Sequence, residues 1–130
     1  MKRVPRSSLQ NIEAMSRVGY TSDRYEIYVN TNDGGMIPHF YYRLSSDWSK
    51  FHTCIRIDKS EYFHHNGKED VLNSKQKRAL QKFMTSKISG KYSDRFKDNW
   101  ELVCFLWDIN NSDVTISDDI QQPNYINLPD

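Results

Sequence analysis

The run Asn32-Asp33-Gly34-Gly35-Met36-Ile37-Pro38-His39-Phe40-Tyr41-Tyr42-Arg43 decides how this chain folds. Asp33-Gly34-Gly35 supplies residues that accept positive φ, which a hairpin connection requires. Pro38 fixes φ and has no N–H to donate, so it suits a strand start or a sheet edge. Beyond it the side chains alternate. His39, Tyr41 and Arg43 fall on one face, and Phe40, Tyr42 and Leu44 on the other. A tight turn launching such a strand predicts a sheet with one core side and one side for contact.

The same period continues in both directions. Upstream, Arg24-Tyr25-Glu26-Ile27-Tyr28-Val29-Asn30 alternates and is rich in β-formers. Downstream, Ser45 to Lys50 reads as a second turn. After it, Phe51, Thr53, Ile55 and Ile57 alternate with His52, Cys54, Arg56 and Asp58. Short connections between three such runs predict an antiparallel meander over 24–63. Glu61-Tyr62-Phe63-His64 extends it, before a turn at His65-Asn66-Gly67-Lys68. Near Asn73 the period changes to that of a helix. Asn73 and Gln76 form a capping-box pattern, and Ala79, Leu80, Phe83 and Met84 make an apolar stripe opposite Lys75, Arg78 and Lys82. Gly90 lies beyond the end of this helix, expected over about 74–87. Asp98 with Glu101 opens a second helix, 99–110. Its Trp100, Leu102, Val103, Phe105, Leu106 and Trp107 are apolar almost all round, which predicts burial.

The first 22 residues are polar. Leu9, Ile12, Met15 and Val18 recur at helical spacing there, so a short helix is expected. The tail is also polar, and Pro123 and Pro129 limit further helix. Strands first and helices after is the α+β pattern: an antiparallel three- to four-stranded sheet packed on two C-terminal helices. The expected organisation is one domain over 1–130. It comprises a polar segment (1–22), the meander (24–63), a helical half (74–110) and an acidic tail (111–130). The Trp100 helix covers one face of the sheet, and the other face is expected to be partly open.

Composition narrows the function classes. At 130 residues the chain is long enough to bury a real core. Mean hydropathy is low, -0.82, but an aromatic content of 13% supplies large buried areas. No apolar run approaches the roughly 20 residues of a membrane span, and no apolar stretch follows the basic Met1–Arg6. Cys54 and Cys104 are too sparse for a disulfide framework. The expectation is a cytoplasmic protein with no membrane partner. Net charge is +1, yet residues 75–97 carry eight Lys or Arg against Asp94 alone, while 108–130 carries five Asp and no base. Such asymmetry steers a polyanion to one surface, unless the tail folds back over the basic stretch.

His39, His52 and Cys54 share one strand face and are weak metal candidates, for zinc if any. They lack the close Cys-x-x-Cys or His-x-x-x-His pairing that zinc sites usually show, so no cofactor is expected. Cys54 with His52 or His39 makes a poor nucleophile pair, because neighbours on one strand meet badly for proton transfer. Glu26, Asp58 and Glu61 do not converge, and Gly34-Gly35 lacks the spacing and lysine of a phosphate loop. No catalytic residue is assigned. Binding is the better reading. Tyr28, His39, Tyr41, Arg43, His52 and Arg56 interleave rings with cations on one sheet face, suited to a protein interface or to nucleic-acid bases and phosphates. The plainer reading is a set of cross-strand pairs, such as Glu26 with Arg43 or Arg56. Lys75, Arg78, Lys82, Lys91 and Arg95 form a basic patch. The tail from Gln121 to Pro129 docks as an extended arm, or packs on its own sheet edge.

The Asn32–Phe40 run resembles a small family of uncharacterised proteins from gut bacteria, phages and mobile elements that shares an Asn-Asp-Gly-Gly-x-Ile-Pro-His-Phe motif. The resemblance continues at Glu61–Lys68, at Leu72–Gln76, at Asn99-Trp100-Glu101 with Trp107, and at Gln122-Pro123-Asn124-Tyr125. It spans roughly residues 25–126. In the family the strand tends to read Pro-His-Phe-His; here Tyr41 stands in place of the second His, which weakens a paired-histidine site. The Pro-His strand is also distantly similar to a short domain found beside toxin–antitoxin genes. The resemblance implies an accessory protein of mobile DNA that works by binding a host protein, for example by inhibiting a defence nuclease such as a CRISPR effector. Two alternatives stand beside it: a nucleic-acid-binding protein, or a small metal-dependent enzyme using His39 and His52.

Overall fold

The structure is a computed structural model, and it describes residues 15–30, 37–47, 49–64, 70–88, 90, 93–111, 114–116 and 118–130. Four strands, β1 (Met15–Tyr20), β2 (Glu26–Asn30), β3 (His39–Arg43) and β4 (His52–Arg56), lie side by side in chain order and pair antiparallel. Among the described residues two helices follow, α1 (Ser74–Thr85) and α2 (Asn99–Asn110), and a 3₁₀ turn, Tyr125–Asn127, lies near the end. The class is the expected α+β. The hairpin residues Asn32–Gly35 and the turn His65–Lys68 lie outside the described residues.

Local signals fix the helix starts. Asn73 and Gln76 complete a reciprocal capping box: the Asn73 side chain accepts from Gln76 N–H, and Gln76 Oε1 accepts from Asn73 N–H. Asp98 caps α2 by accepting from Glu101 N–H at 3.0 Å.

The sheet begins earlier than the sequence suggests. Met15 to Val18 belong not to a helix but to β1, which pairs with β2 through Ser16↔Val29 and Arg17↔Tyr28. Leu9 and Ile12 lie outside the described residues. Four apolar residues over ten positions are a weak helical signal. In the strand Gly19 has a use. The pairing slips by one residue between Arg17 and Gly19, and a Cβ at Gly19 would stand 3.0 Å from the Phe83 ring of α1.

The helices cover one face of the sheet. Ile27, Val29, Phe40, Tyr42 and Ile55 meet Leu80 and Met84 of α1 and Val103, Leu106 and Trp107 of α2 in one core. The Ile57 carbonyl accepts from both Trp100 Nε1 and the Tyr125 hydroxyl at 3.0 Å, which ties α2 and the tail to the end of β4. α2 is not enclosed all round as expected: Phe105 is half-buried and Ile109 is exposed.

The described part of the tail is not a free arm; it packs on α1 and on the end of β4. Tyr125 is buried, its N–H donates to Gln81 Oε1 of α1, and the Ser60 hydroxyl donates to the Asn124 carbonyl. Only one part of the acidic tail folds back on the basic stretch among the described ion pairs, where Asp130 meets the buried Lys77. Among the described residues no helix is long and apolar enough to cross a membrane.

Candidate functional site

The second face of the sheet carries the side chains singled out above, and pairing sets them in rows. Glu26, Arg43 and His52 occupy one row, Tyr28, Tyr41 and Cys54 the next, and His39 stands opposite Arg56. Neighbours in these rows touch. The Tyr28 and Tyr41 rings stack at 4.8 Å, and the Arg43 guanidinium lies 4.4 Å above the Tyr28 ring. The Tyr28 hydroxyl and His52 Nε2 hydrogen-bond at 3.2 Å. His39 Nδ1–H donates to the Ile37 carbonyl at 2.7 Å, which fixes the ring's tautomer.

This face is closed, in contrast to the partly open face expected. Tyr28, His39, Tyr41, His52 and Cys54 are between 0% and 5% exposed, and only Arg43 and Arg56 reach the surface in part. Two causes are visible. The rings and the Arg43 stem cover one another, and the segment after β4 turns back, so that Phe63 stacks on His39 at 4.4 Å and packs on the Tyr28/Tyr41/Cys54 cluster. That return also closes the β4 edge. Phe63 N–H donates to the Cys54 carbonyl, Arg56 N–H to the Glu61 carbonyl, and His52 N–H to the Asp70 carboxylate. Alternation shows which way a side chain points and says nothing about what lies over it.

Charge on this face is organised around Glu26. Its two carboxylate oxygens accept from Arg17 Nε and, at 2.7 Å, from Arg43 Nε. Burial works to raise the Glu26 pKa, but the hydrogen bonds from the two guanidinium groups outweigh it, and the carboxyl is held below its ordinary value. The expected Glu26–Arg43 pair therefore forms. Arg56 does not join it; it forks onto Asp58 with two hydrogen bonds of 2.8 Å and lies near Glu61. Arg17 is the network member that sequence reading misses, because it sits in a segment expected to be helical. Its alternation with the apolar Val18 on a strand was the available signal. Trp107, expected only as core, also approaches this group: its ring reaches from α2 to within 5.3 Å of His39.

Among the described residues no group of three or more His, Cys, Asp or Glu is gathered as a metal cage, so His39, His52 and Cys54 share a face without forming one. Cys104 is half-buried on α2. Burial, with the nearby carboxylates, pushes its thiol up to about 12, so it is not an activated nucleophile.

The basic patch has a different character. Lys75, Arg78 and Lys82 stand on the exposed face of α1, one and two turns apart, and Arg95 is exposed on the loop before α2. Lys91 lies outside the described residues. α1 contains no acidic residue, and Lys75, Arg78 and Lys82 make no ion pair among the described residues. Lys77, in the same helix, is turned inward to Asp130. Comparison with known proteins adds no relative: no family model matches the chain, and no curated protein or solved structure is similar to it.

Proposed function

We propose that this chain is a non-enzymatic binding module that acts by contact with a protein partner through the exposed cationic face of α1. One observation carries the reading: the molecule separates its reactive residue types from its exposed charge. His39, His52, Cys54, Tyr28 and Tyr41 are buried and hold one another, whereas Lys75, Arg78 and Lys82 face solvent without carboxylate partners among the described residues. A row of exposed cations on a helix attracts and orients an acidic surface. The resemblance to proteins of phages and mobile elements supports a host protein as that partner, and an inhibitor of a host defence nuclease, anti-CRISPR-like, as the role. With a cationic contact face, the inhibitor meets an acidic patch of the enzyme and not its basic nucleic-acid channel.

A second reading, direct nucleic-acid binding, draws on the same three cations, since a helix with no acidic residue also suits phosphates. The protein reading is preferred because stacking rings are missing from that helix face. Among the described aromatics only Tyr20 is mostly exposed, and it lies on β1.

Affinity capture from a gut-bacterial host lysate tests this, with the intact chain and with its K75E/R78E/K82E variant as baits. The expected result is one polypeptide held by the first and lost from the second, with feeble binding of naked DNA or RNA. Submicromolar nucleic-acid affinity at physiological salt, abolished in the variant, overturns the protein reading in favour of the second.

A further inference from the structure

We propose that the outer edge of β1 is a docking site for an extended acidic segment of a partner protein, which adds to the sheet as a fifth strand. The two edges of the sheet are treated differently. β4 is closed by Tyr62, Phe63 and Asp70, whereas β1 has no strand on its outer side among the described residues. An edge presents backbone N–H and C=O groups that an incoming strand satisfies by pairing.

The ground beside β1 is shaped for the side chains of such a strand. A cleft of about 480 Å³ runs between β1 and the helices, with Phe83, Ile88, Leu102 and Leu106 among its lining residues. Successive residues of an added strand point to opposite faces. One set enters this cleft, where Phe83, Ile88, Leu102 and Leu106 share the lining with the polar Ser16 and Asn99. The other set meets the opposite sheet face, where Arg17 is the nearest charge. The Arg17–Glu26–Arg43 triad carries one negative and two positive charges, and the Arg17 side chain is 55% exposed. Exposed Lys87 adds a positive charge at the rim of the cleft, and no acidic residue lines it among the described residues. The complement is an extended segment with apolar and acidic residues in alternation. Exposed Tyr20 continues the edge and offers a ring to the same ligand. The missing Cβ at Gly19 lets the Phe83 ring lie close under β1. This surface does not use Lys75, Arg78 or Lys82, and stands or falls separately from the reading of α1.

The test titrates the isotope-labelled intact chain with an eight-residue peptide of alternating Glu and Val, acetylated and amidated. Two controls accompany it: the Lys–Val peptide, and a peptide of four Glu followed by four Val. Amide shifts concentrated over 15–20 are expected with the alternating acidic peptide alone. Arg17→Gln with Lys87→Gln is expected to weaken binding about fivefold, the scale of two exposed ion pairs. Lys87→Gln alone serves as the second variant, since it leaves the Glu26 network intact. K75E/R78E/K82E is expected to bind the peptide as the parent does. The proposal is overturned by shifts centred elsewhere, by equal binding of the block peptide, or by no binding. It is also overturned by a concentration-dependent dimer that protects the same amides without peptide, which would assign the edge to a second copy of the chain.

Discussion

Glu26 is the residue on which the second sheet face depends. Its carboxylate is nearly buried and shared by Arg17 and Arg43, so removing it takes an opposite charge from the mostly buried Arg43 guanidinium. Glu26→Ala is expected to cost on the order of 3 kcal/mol, as breaking a buried pair does, read from the midpoint of urea unfolding. The pH dependence has a defined sign. The folded pKa of Glu26 is lowered, so the stabilisation is complete above the unfolded carboxylate value of about 4.3 and is lost as pH falls through the folded value. Glu26→Gln is expected to flatten that acid limb; an unchanged limb would show that the network adds nothing to stability. At Cys104, burial keeps the thiol protonated, with a pKa of about 12. Alkylation followed by mass spectrometry at pH 8 is expected to modify it slowly until the chain unfolds. Single residues of this kind were legible only in part. The Glu26–Arg43 pair follows from alternation and charge sign, whereas Arg17 needed the register of a strand that its own neighbours disguise.

At the scale of elements, the helices were the most legible part of the chain. Capping residues at Asn73 and Asp98 placed both starts, and α2 ends where its spacing predicts. Leu106 is 5% exposed in the core beneath the sheet. Leu106→Ala is expected to cost about 2–5 kcal/mol, and a loss under about 1 kcal/mol would contradict the packing of α2. Asn73→Ala removes half of the capping box and is expected to cost about 1 kcal/mol. β1 was not legible, because pairing with β2 and not local spacing makes it a strand. The tail was legible only as a choice between docking and extension. Its anchor is Tyr125, whose hydroxyl donates to carbonyls of Arg56 and Ile57 some 70 residues away in sequence, a contact no local pattern announces.

At the scale of the whole molecule, the polarity of charge along the sequence becomes a polarity of surface only in part. One lysine of the basic stretch, Lys77, is buried and pairs with the exposed Asp130, and the remaining cations of α1 stay outside. The closed sheet face and the exposed helix face together move the expected contact surface from strands to helix. A partner held by α1 is therefore expected to tolerate His39→Gln, provided the variant keeps its circular dichroism spectrum. The direct measurement is calorimetric titration of the captured partner with the parent chain and with K75A/R78A/K82A, at low and physiological salt. Loss of about tenfold in affinity for the variant, larger at low salt, is the expected result. Equal affinity for both chains at both salt concentrations would contradict the assignment of α1 as the contact face.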